Sequence, residues 1–456
     1  MGLEDGLRRL LGKEKVSTGL QERVVYGADA FTFSKVPAVV VQPESHEEVL
    51  AVLRVASQHG RPVIPRGGGS GLAGAAVSTT EEAIIISTTR LDKILELDLD
   101  NLCARAEAGV MVNDLAKEIE KEGFWFPPLP SSAKVATLGG VISTNASGKY
   151  SMKYGVTGDY VRGLKVALPT GETLELGGKV VNSVSGYDLK SLYIGSEGTL
   201  GVITEAIIGF IPKPKEVATV LIGFDRLEDA AQAISRIIRE GLYPAVLELM
   251  DSYTIISVKR YTGIDLPEGA IVLAETDGMT KDEAQRGIEA IVKIGEEEGS
   301  SLIKYASTPS ERAQVMEARD AAFPALASIK PIPILEDVTV PIKQLPQMIS
   351  EIQRISKEYD VIIGTYGHAG RGLLHPQILI DDRDEAEVKA ANQAIKEIFE
   401  TAIKLGGTLS GEHGIGLAKR DYMPLEHSKL ALKQMKSIKQ LVDPQGIMNP
   451  GKILPH

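Results

Sequence analysis

Short apolar runs punctuated by glycine and proline fill the first half of the chain, and a regular alternation of strand-like and helix-like segments fills the second. Residues 1 to about 35 read as helical and then irregular. Pro37-Ala-Val-Val-Val-Gln-Pro43 is a β-branched run between prolines, too short for a helix, and predicts a buried strand. Ser45 followed by Glu48 predicts a capping box that opens an amphipathic helix ending at Gly60. Apolar segments at Arg61–Ile64 and Ala83–Ser87 follow, with a glycine cluster between them. From about residue 96 to 211 short strands predominate, as in 101–108 and 163–176, interrupted by one helix capped by Asn113 and ending near Gly123.

The paired prolines of Ile211-Pro-Lys-Pro-Lys-Glu216 predict a domain boundary. Beyond it the pattern gives strand Ala218–Phe224, helix Leu227–Glu240, strand Ala245–Met250 and a comparable strand and helix across Ala270–Gly299. That alternation predicts an α+β domain with helices on one face of a sheet. Helical periodicity returns at about Glu385–Leu405 and Leu425–Leu441.

At 456 residues the chain is too long for one core and predicts two or three domains. Its net charge of −11, from 50 basic and 61 acidic residues, argues against a nucleic-acid surface. No apolar run approaches the ~20 residues of a membrane span, and Met-Gly-Leu-Glu-Asp-Gly-Leu-Arg-Arg has no apolar leader region, so a cytoplasmic location is expected. Cys103 is the sole cysteine, which excludes a disulfide and any cluster carried by four cysteines of this chain. Redox chemistry would need an organic cofactor or another subunit.

The glycine cluster holds Pro65, Arg66, Gly67, Gly68, Gly69, Ser70, Gly71 and Gly74. Residues without Cβ let consecutive amides turn inward around a phosphate. Gly69, Gly71 and Gly74 satisfy G-x-G-x-x-G, but Ser-Thr-Thr-Glu-Glu and the strand-like Ile84–Ile86 follow where a dinucleotide fold needs a helix. A Rossmann unit is therefore not expected. Three more glycine-rich segments span 136–148, 153–161 and 195–205. Any one alone reads as a turn; four within about 140 residues point to a large planar ligand enclosed by backbone.

Of seven histidines, His46, His59, His427 and His456 sit in polar contexts and read as solvated. The others lie in Tyr366-Gly-His-Ala-Gly-Arg-Gly-Leu-Leu-His375 and Ser410-Gly-Glu-His-Gly-Ile-Gly416. A turn at Arg371 and Gly372 would bring His368 and His375 together, and Glu412 would complete a two-histidine, one-carboxylate set suited to zinc or another divalent first-row metal. His413 is then left as a base. The alternative is a group of unrelated turn residues, since no local spacing joins 375 to 412.

Together these segments strongly resemble the FAD-linked D-2-hydroxyacid dehydrogenases, the D-lactate dehydrogenase and glycolate oxidase group of the vanillyl-alcohol oxidase and p-cresol methylhydroxylase superfamily. The resemblance runs from Tyr26-Gly-Ala-Asp29 to Asn449-Pro-Gly-Lys452 with six motifs in the family's order. It implies an α+β fold: a p-cresol methylhydroxylase-type FAD-binding domain over 1–214, a cap with antiparallel sheet over 215–415, and a helical segment over 416–456 returning to the FAD domain. It implies that the Pro65–Val77 loop holds the FAD pyrophosphate. By the same resemblance Pro130, Ser131, Thr137, Gly139, Gly140, Asn145, Ser147, Gly148, Tyr154, Gly155, Gly195, Glu197, Gly198, Gly201, Val202 and Ile203 are expected to line the cofactor, with Asn449 and Lys452 near the flavin.

By the same resemblance His368, His375 and Glu412 are the metal ligands, with zinc expected and iron or manganese as alternatives. His413 is the base and Arg319 the holder of the substrate carboxylate. The implied reaction oxidises a D-2-hydroxyacid, D-lactate or glycolate, by hydride transfer to the flavin. Some relatives attach FAD through a histidine of the first loop or a cysteine further on. Here that loop carries Ser70 and no histidine, and Cys103 lies outside every motif, so dissociable FAD is expected. Reoxidation calls for a partner: an iron–sulfur subunit, an electron-transfer flavoprotein, a quinone or a cytochrome. An oligomer or complex is expected, placed at the membrane only through that partner.

Three residues depart from the family pattern. Arg371 and Leu373 stand for an aspartate and an asparagine, and Met316 for a tryptophan. Arg371 either meets a second anionic substrate group or points to solvent while Leu373 packs. Two other functions compete with the dehydrogenase: an electron-relay or scaffold subunit, and a reductase taking hydride from a nicotinamide, for which no second nucleotide motif is visible.

Overall fold

The computed structural model describes residues 2–31 and 34–455, so His456 lies outside the described residues. The chain forms two compact units, one of Met1–Ser147, Val156–Lys213 and Glu412–His456, the other of Gly148–Gly155 and Pro214–Gly411. Chain return to the first unit thus begins at Glu412 rather than after residue 415, and 148–155 leave the first unit altogether. Side chains explain the excursion: Lys153 and Tyr154 both bind Asp277, and Lys149 binds Asp320 at 3.0 Å. Among the described residues no helix is long and apolar enough to cross a membrane.

In the first unit, Val39–Val41 and Val63–Arg66 flank Ile84–Ser87 in parallel, with Val16–Ser17 antiparallel at the edge. Parallel strands are buried on both faces, which is why they read as unbroken Val-Val-Val and Ile-Ile-Ile. Val39, Val41, Ile84 and Ile86 pack on Leu7, Val49 and Leu53, whereas Val40, Ile64 and Ile85 face the other side. The C-terminal chain adds to this sheet: Val63 N–H donates to Ile447 O at 2.8 Å, and Val63 O accepts Asn449 N–H at 2.7 Å. A second, antiparallel sheet runs Ile94–Asp98, Cys103–Glu107, Val202–Gly209, Val161–Ala167, Thr173–Gly177.

Three local expectations change. Ser45 caps helix His46–His59 by accepting Glu48 N–H at 3.2 Å, but the Glu48 carboxylate turns to Glu44 N–H at 2.8 Å, so the box is half formed. Asn113 is no cap: helix Val112–Lys121 starts two residues earlier than an Asn113 cap requires, with Met111 in the cap position and Ala136 O accepting Val112 N–H at 3.0 Å. His46 is not solvated. It is buried, with Nδ1 2.7 Å from Thr204 Oγ1 and Nε2 2.7 Å from Thr173 Oγ1, and burial lowers its pKa.

The second unit is an eight-stranded sheet in which Leu302–Ala306, Glu216–Phe224, Ala270–Gly278, Val246–Met250, Ile362–Gly367, Leu373–Ile380 and Ile332–Leu335 lie in that order, with Val338–Thr339 pairing Leu373–Ile380 off the path. All its pairings are antiparallel. Helices cover both faces, not one. Ser252–Thr262 and Pro309–Asp320 pack on the face of Leu221, Leu273 and Met250. Helix Lys281–Glu297 takes the other, where Gly295 lies against Ile222 and Thr276 Oγ1 donates to Ala284 O at 2.6 Å. Val246–Met250 is buried at every position, which demands cover on both sides.

Candidate active site

Strand Val63–Arg66 ends in the glycine cluster, which turns without a helix. Close packing dictates its composition. A Cβ on Gly67 would lie 2.2 Å from Thr137 Oγ1 and one on Gly68 would lie 1.8 Å from Val135 O; Gly74 sits at φ +75°. The second glycine segment is therefore pressed against the first, with Thr137 capping helix Leu138–Thr144 through Gly140 N–H at 3.3 Å.

Chain ends support this loop from behind. Lys452 Nζ donates to Gly74 O at 2.8 Å and Val77 O at 2.7 Å, and Asn449 Nδ2 donates to Ala75 O at 2.8 Å and Glu197 O at 2.7 Å. Asp29 accepts Ala76 N–H at 3.3 Å. Burial depresses Lys452 to about 8 in spite of Asp29 and Glu197 nearby. Buried Asn449 Oδ1 takes no hydrogen bond among the described residues. A glycine-rich loop whose backbone N–H groups are little covered by side chains, backed by a buried lysine and an orphaned buried acceptor, fits a dinucleotide such as FAD. Of the residues expected to line the cofactor, Gly148, Tyr154 and Gly155 belong to the second unit, where Tyr154 Oη donates to Asp277 Oδ2 at 2.5 Å. The rest belong to the first.

In the second unit the expected turn forms. Ile362–Gly367 and Leu373–Ile380 are antiparallel with Tyr366 opposite His375, joined by a 3-10 turn Ala369–Arg371 and by Gly372 at φ +73°. A Cβ at Gly372 would meet Val340 O at 2.0 Å, so no other residue serves there. The rings of His368 and His375 lie 5.5 Å apart at 85°. Asp337 fixes the end of this unit, accepting Gly411 N–H at 2.6 Å and Ser410 Oγ–H at 3.0 Å. The next residue is Glu412, and one ligand atom each from His368, His375 and Glu412 lie within 4.8 Å of one another.

Two residues outside the sequence expectations organise this face. Glu248, 1 % exposed, accepts from Arg319 Nε through Oε2 at 2.5 Å and contacts His368 Nδ1 through Oε1 at 2.6 Å. Glu275 accepts Arg312 Nε at 2.6 Å and Nη2 at 2.8 Å. Arg312 and Arg319 are two helical turns apart on one face of Pro309–Asp320, and their partners sit on neighbouring strands, so two ion pairs dock the helix across the sheet. Burial alone would raise Glu248, but Arg319 and then His368 hold it at about 2. Arg319 also stacks over Tyr366 at 5.2 Å, and Nη1 and Nη2 keep no acceptor among the described residues. Sequence does carry a signal for Glu248: a carboxylate between leucines in the apolar run Ala245-Val-Leu-Glu-Leu-Met250 is buried only if paired. Asp337 has none of that contrast.

The three departures also find their places. Arg371 is exposed and donates to Ser151 O at 2.6 Å. Leu373 is buried, facing Gly411 so closely that a Cβ there would lie 2.3 Å from Leu373 Cδ1. Met316 is buried in the core of the second unit.

His413 Nε2 lies 3.6 Å from Glu412 Oε1. Glu197, itself at φ 50°, accepts Ile415 N–H at 2.7 Å and Gly416 N–H at 2.8 Å, pinning the turn that carries His413. Burial raises Glu197 from 4.5 to about 7, the two N–H groups and Lys452 opposing. The folded protein thus keeps a proton that the unfolded chain gives up. Its stabilising contribution is fully present below about 4.5 and is lost as pH rises through about 7. The cofactor-free protein is expected to lose roughly 2–3 kcal/mol more stability between about pH 5 and pH 8 than the Glu197→Gln variant, read from denaturant midpoints. Equal slopes for the two proteins would contradict this.

Comparison with known proteins gives two family matches. Residues 213–453 match the family described as FAD linked oxidases, C-terminal domain, and residues 37–177 match the FAD binding domain. The glycolate oxidase subunit GlcD of Bacillus subtilis is 40% identical over 99% of this chain and 96% of its own length. A D-lactate dehydrogenase of Anaerostipes hadrus is 36% identical over 91% of this chain and 89% of its own. The crystal structure of p-cresol methylhydroxylase with substrate bound superposes with TM-score 0.81 at 16% identity, over 99% of this chain and 96% of that one, and shows the fold alone.

Proposed function

From the premise that this chain belongs to the FAD-linked oxidases, whose two domains it matches, we propose that it oxidises a D-2-hydroxyacid to the 2-oxoacid. D-lactate is the first candidate and glycolate the second, as the relatives' names suggest. The observation that carries this reading is the grouping of His368 and His375 with an arginine whose two Nη donors keep no acceptor among the described residues, joined by one buried carboxylate.

Two imidazoles and a carboxylate fit a divalent first-row cation with a position left for substrate, zinc being the first choice. When bound, FAD supplies the acceptor for the α-hydride, and a cation held by His368, His375 and Glu412 supplies Lewis acidity toward the hydroxyl oxygen. Arg319 grips the substrate carboxylate through Nη1 and Nη2, its guanidinium unable to swing because Glu248 holds Nε and Tyr366 lies beneath. His413 accepts the hydroxyl proton as the carbonyl forms, with Glu412 favouring the imidazolium. Leu373 stays in the core against Gly411 and Arg371 stays with Ser151, so neither departure removes a group this scheme uses. Electrons then leave to a separate acceptor, a partner subunit or a quinone, consistent with the word subunit in the name of the Bacillus relative.

Turnover with an artificial dye as acceptor tests this. The FAD- and zinc-loaded protein reduces dye with D-lactate or glycolate and not with L-lactate; no reduction with any of them overturns the proposal. Arg319→Lys keeps charge but loses the fork, and raises KM about 10- to 100-fold with a smaller change in kcat. An unchanged KM would move carboxylate recognition elsewhere.

A further inference from the structure

We propose that Glu248 is a positioning residue shared by the two halves of substrate recognition, holding His368 in the tautomer that presents Nε2 and holding Arg319 in the orientation that presents both Nη groups. The inference rests on the metal-ligand and carboxylate-binding roles proposed above.

Geometry allows one carboxylate to do both. Oε1 meets His368 Nδ1 at 2.6 Å, which makes Nδ1 the protonated nitrogen and leaves Nε2 its lone pair; Oε2 accepts Arg319 Nε at 2.5 Å, the one guanidinium donor outside the terminal fork. Glu248 can hardly move: it lies on the central strand Val246–Met250, between Leu247 and Leu249, and is 1 % exposed. Strand register places it on the face of Met250, Tyr366 and His375, since Met250 is opposite Tyr366 and Tyr366 opposite His375. A rigid strand therefore sets the distance between the histidine and the arginine. The neighbouring Glu275–Arg312 pair also docks the helix, so Glu248 is not the sole anchor of Pro309–Asp320 on the sheet.

Metal titration of the purified, FAD-loaded protein gives a test independent of turnover. Zinc affinity is measured by chelator competition, and the visible spectrum of bound Co²⁺ reports ligand geometry. Glu248→Gln is expected to weaken zinc about 10- to 100-fold and to alter the Co²⁺ spectrum, with circular dichroism and FAD content as in the parent. Glu248→Asp, which keeps the charge, is expected to recover part of the loss. If the single variant does not fold because Arg319 is left buried and unpaired, Glu248→Gln with Arg319→Met removes that charge, and the same zinc loss is expected. Parental affinity and spectrum in a folded Glu248 variant would overturn the positioning role while leaving the proposed metal site intact. A parent protein that binds neither Zn²⁺ nor Co²⁺, or a His368→Ala variant that binds them as well as the parent, would overturn the metal reading itself and the positioning role with it.

Discussion

His413→Ala is expected to lower hydroxyacid turnover by about 100- to 10,000-fold in kcat, the usual worth of a positioned general base, with FAD and metal content unchanged. Oxidation of an alcohol requires the hydroxyl proton to leave as the carbonyl forms, and an alcohol is far too weak an acid to give it up unaided. Glu412 lies 3.6 Å from His413 Nε2, where its charge would stabilise the protonated ring of the proposed base, and Glu197 pins the following turn through Ile415 and Gly416. The two Glu197 hydrogen bonds do not involve the imidazole and survive the substitution, so the turn keeps its place while the base is lost. His59→Ala, at an exposed position, is the matched control. Turnover within a few-fold of the parent would mean that another group takes the proton.

Gly68→Ala is expected to yield protein with little or no bound FAD. Its Cβ would stand 1.8 Å from Val135 O, a backbone atom held in place by its own turn, so the loop and the 130s segment must separate. Overpacking of this kind costs about 1–3 kcal/mol of fold stability, and the displaced loop no longer presents its N–H groups to a diphosphate. Gly178→Ala, where an added Cβ meets nothing within 4 Å, is the control and keeps its flavin. FAD bound at parental stoichiometry and affinity by Gly68→Ala would show that this loop is not the pyrophosphate cradle.

Much of this is legible in the chain. Parallel strands buried on both faces announce themselves as Val39–Val41 and Ile84–Ile86, and the absence of a helix after the glycine cluster is as visible in sequence as in space. His368 and His375 can be paired because a glycine turn relates them locally. What escapes depends on distant partners. His46 looks polar among Glu-Glu neighbours, yet it is buried with Thr173 and Thr204, far along the chain, as hydrogen-bond partners for its two nitrogens. Asn113 looks like a cap, but Ala136 satisfies the helix start instead. Residues 148–155 read in sequence with the first unit, because distant partners such as Asp277, Asp320 and Arg371 reveal which unit they serve. Glu248 shows both sides of the matter: its burial is predictable from its leucine neighbours, whereas its two partners, Arg319 and His368, emerge only from strand order.

Transfer of the α-hydride to the flavin is the central claim, and the anaerobic half-reaction tests it without any assumption about the acceptor. FAD- and zinc-loaded protein is mixed with D-lactate, with D-lactate deuterated at Cα, with glycolate and with L-lactate, and the oxidised flavin band is followed in time. The proposed chemistry predicts bleaching by D-lactate or glycolate, slowed when D-lactate carries the deuterium, and no bleaching by L-lactate. A flavin that dithionite reduces and no 2-hydroxyacid bleaches would contradict it.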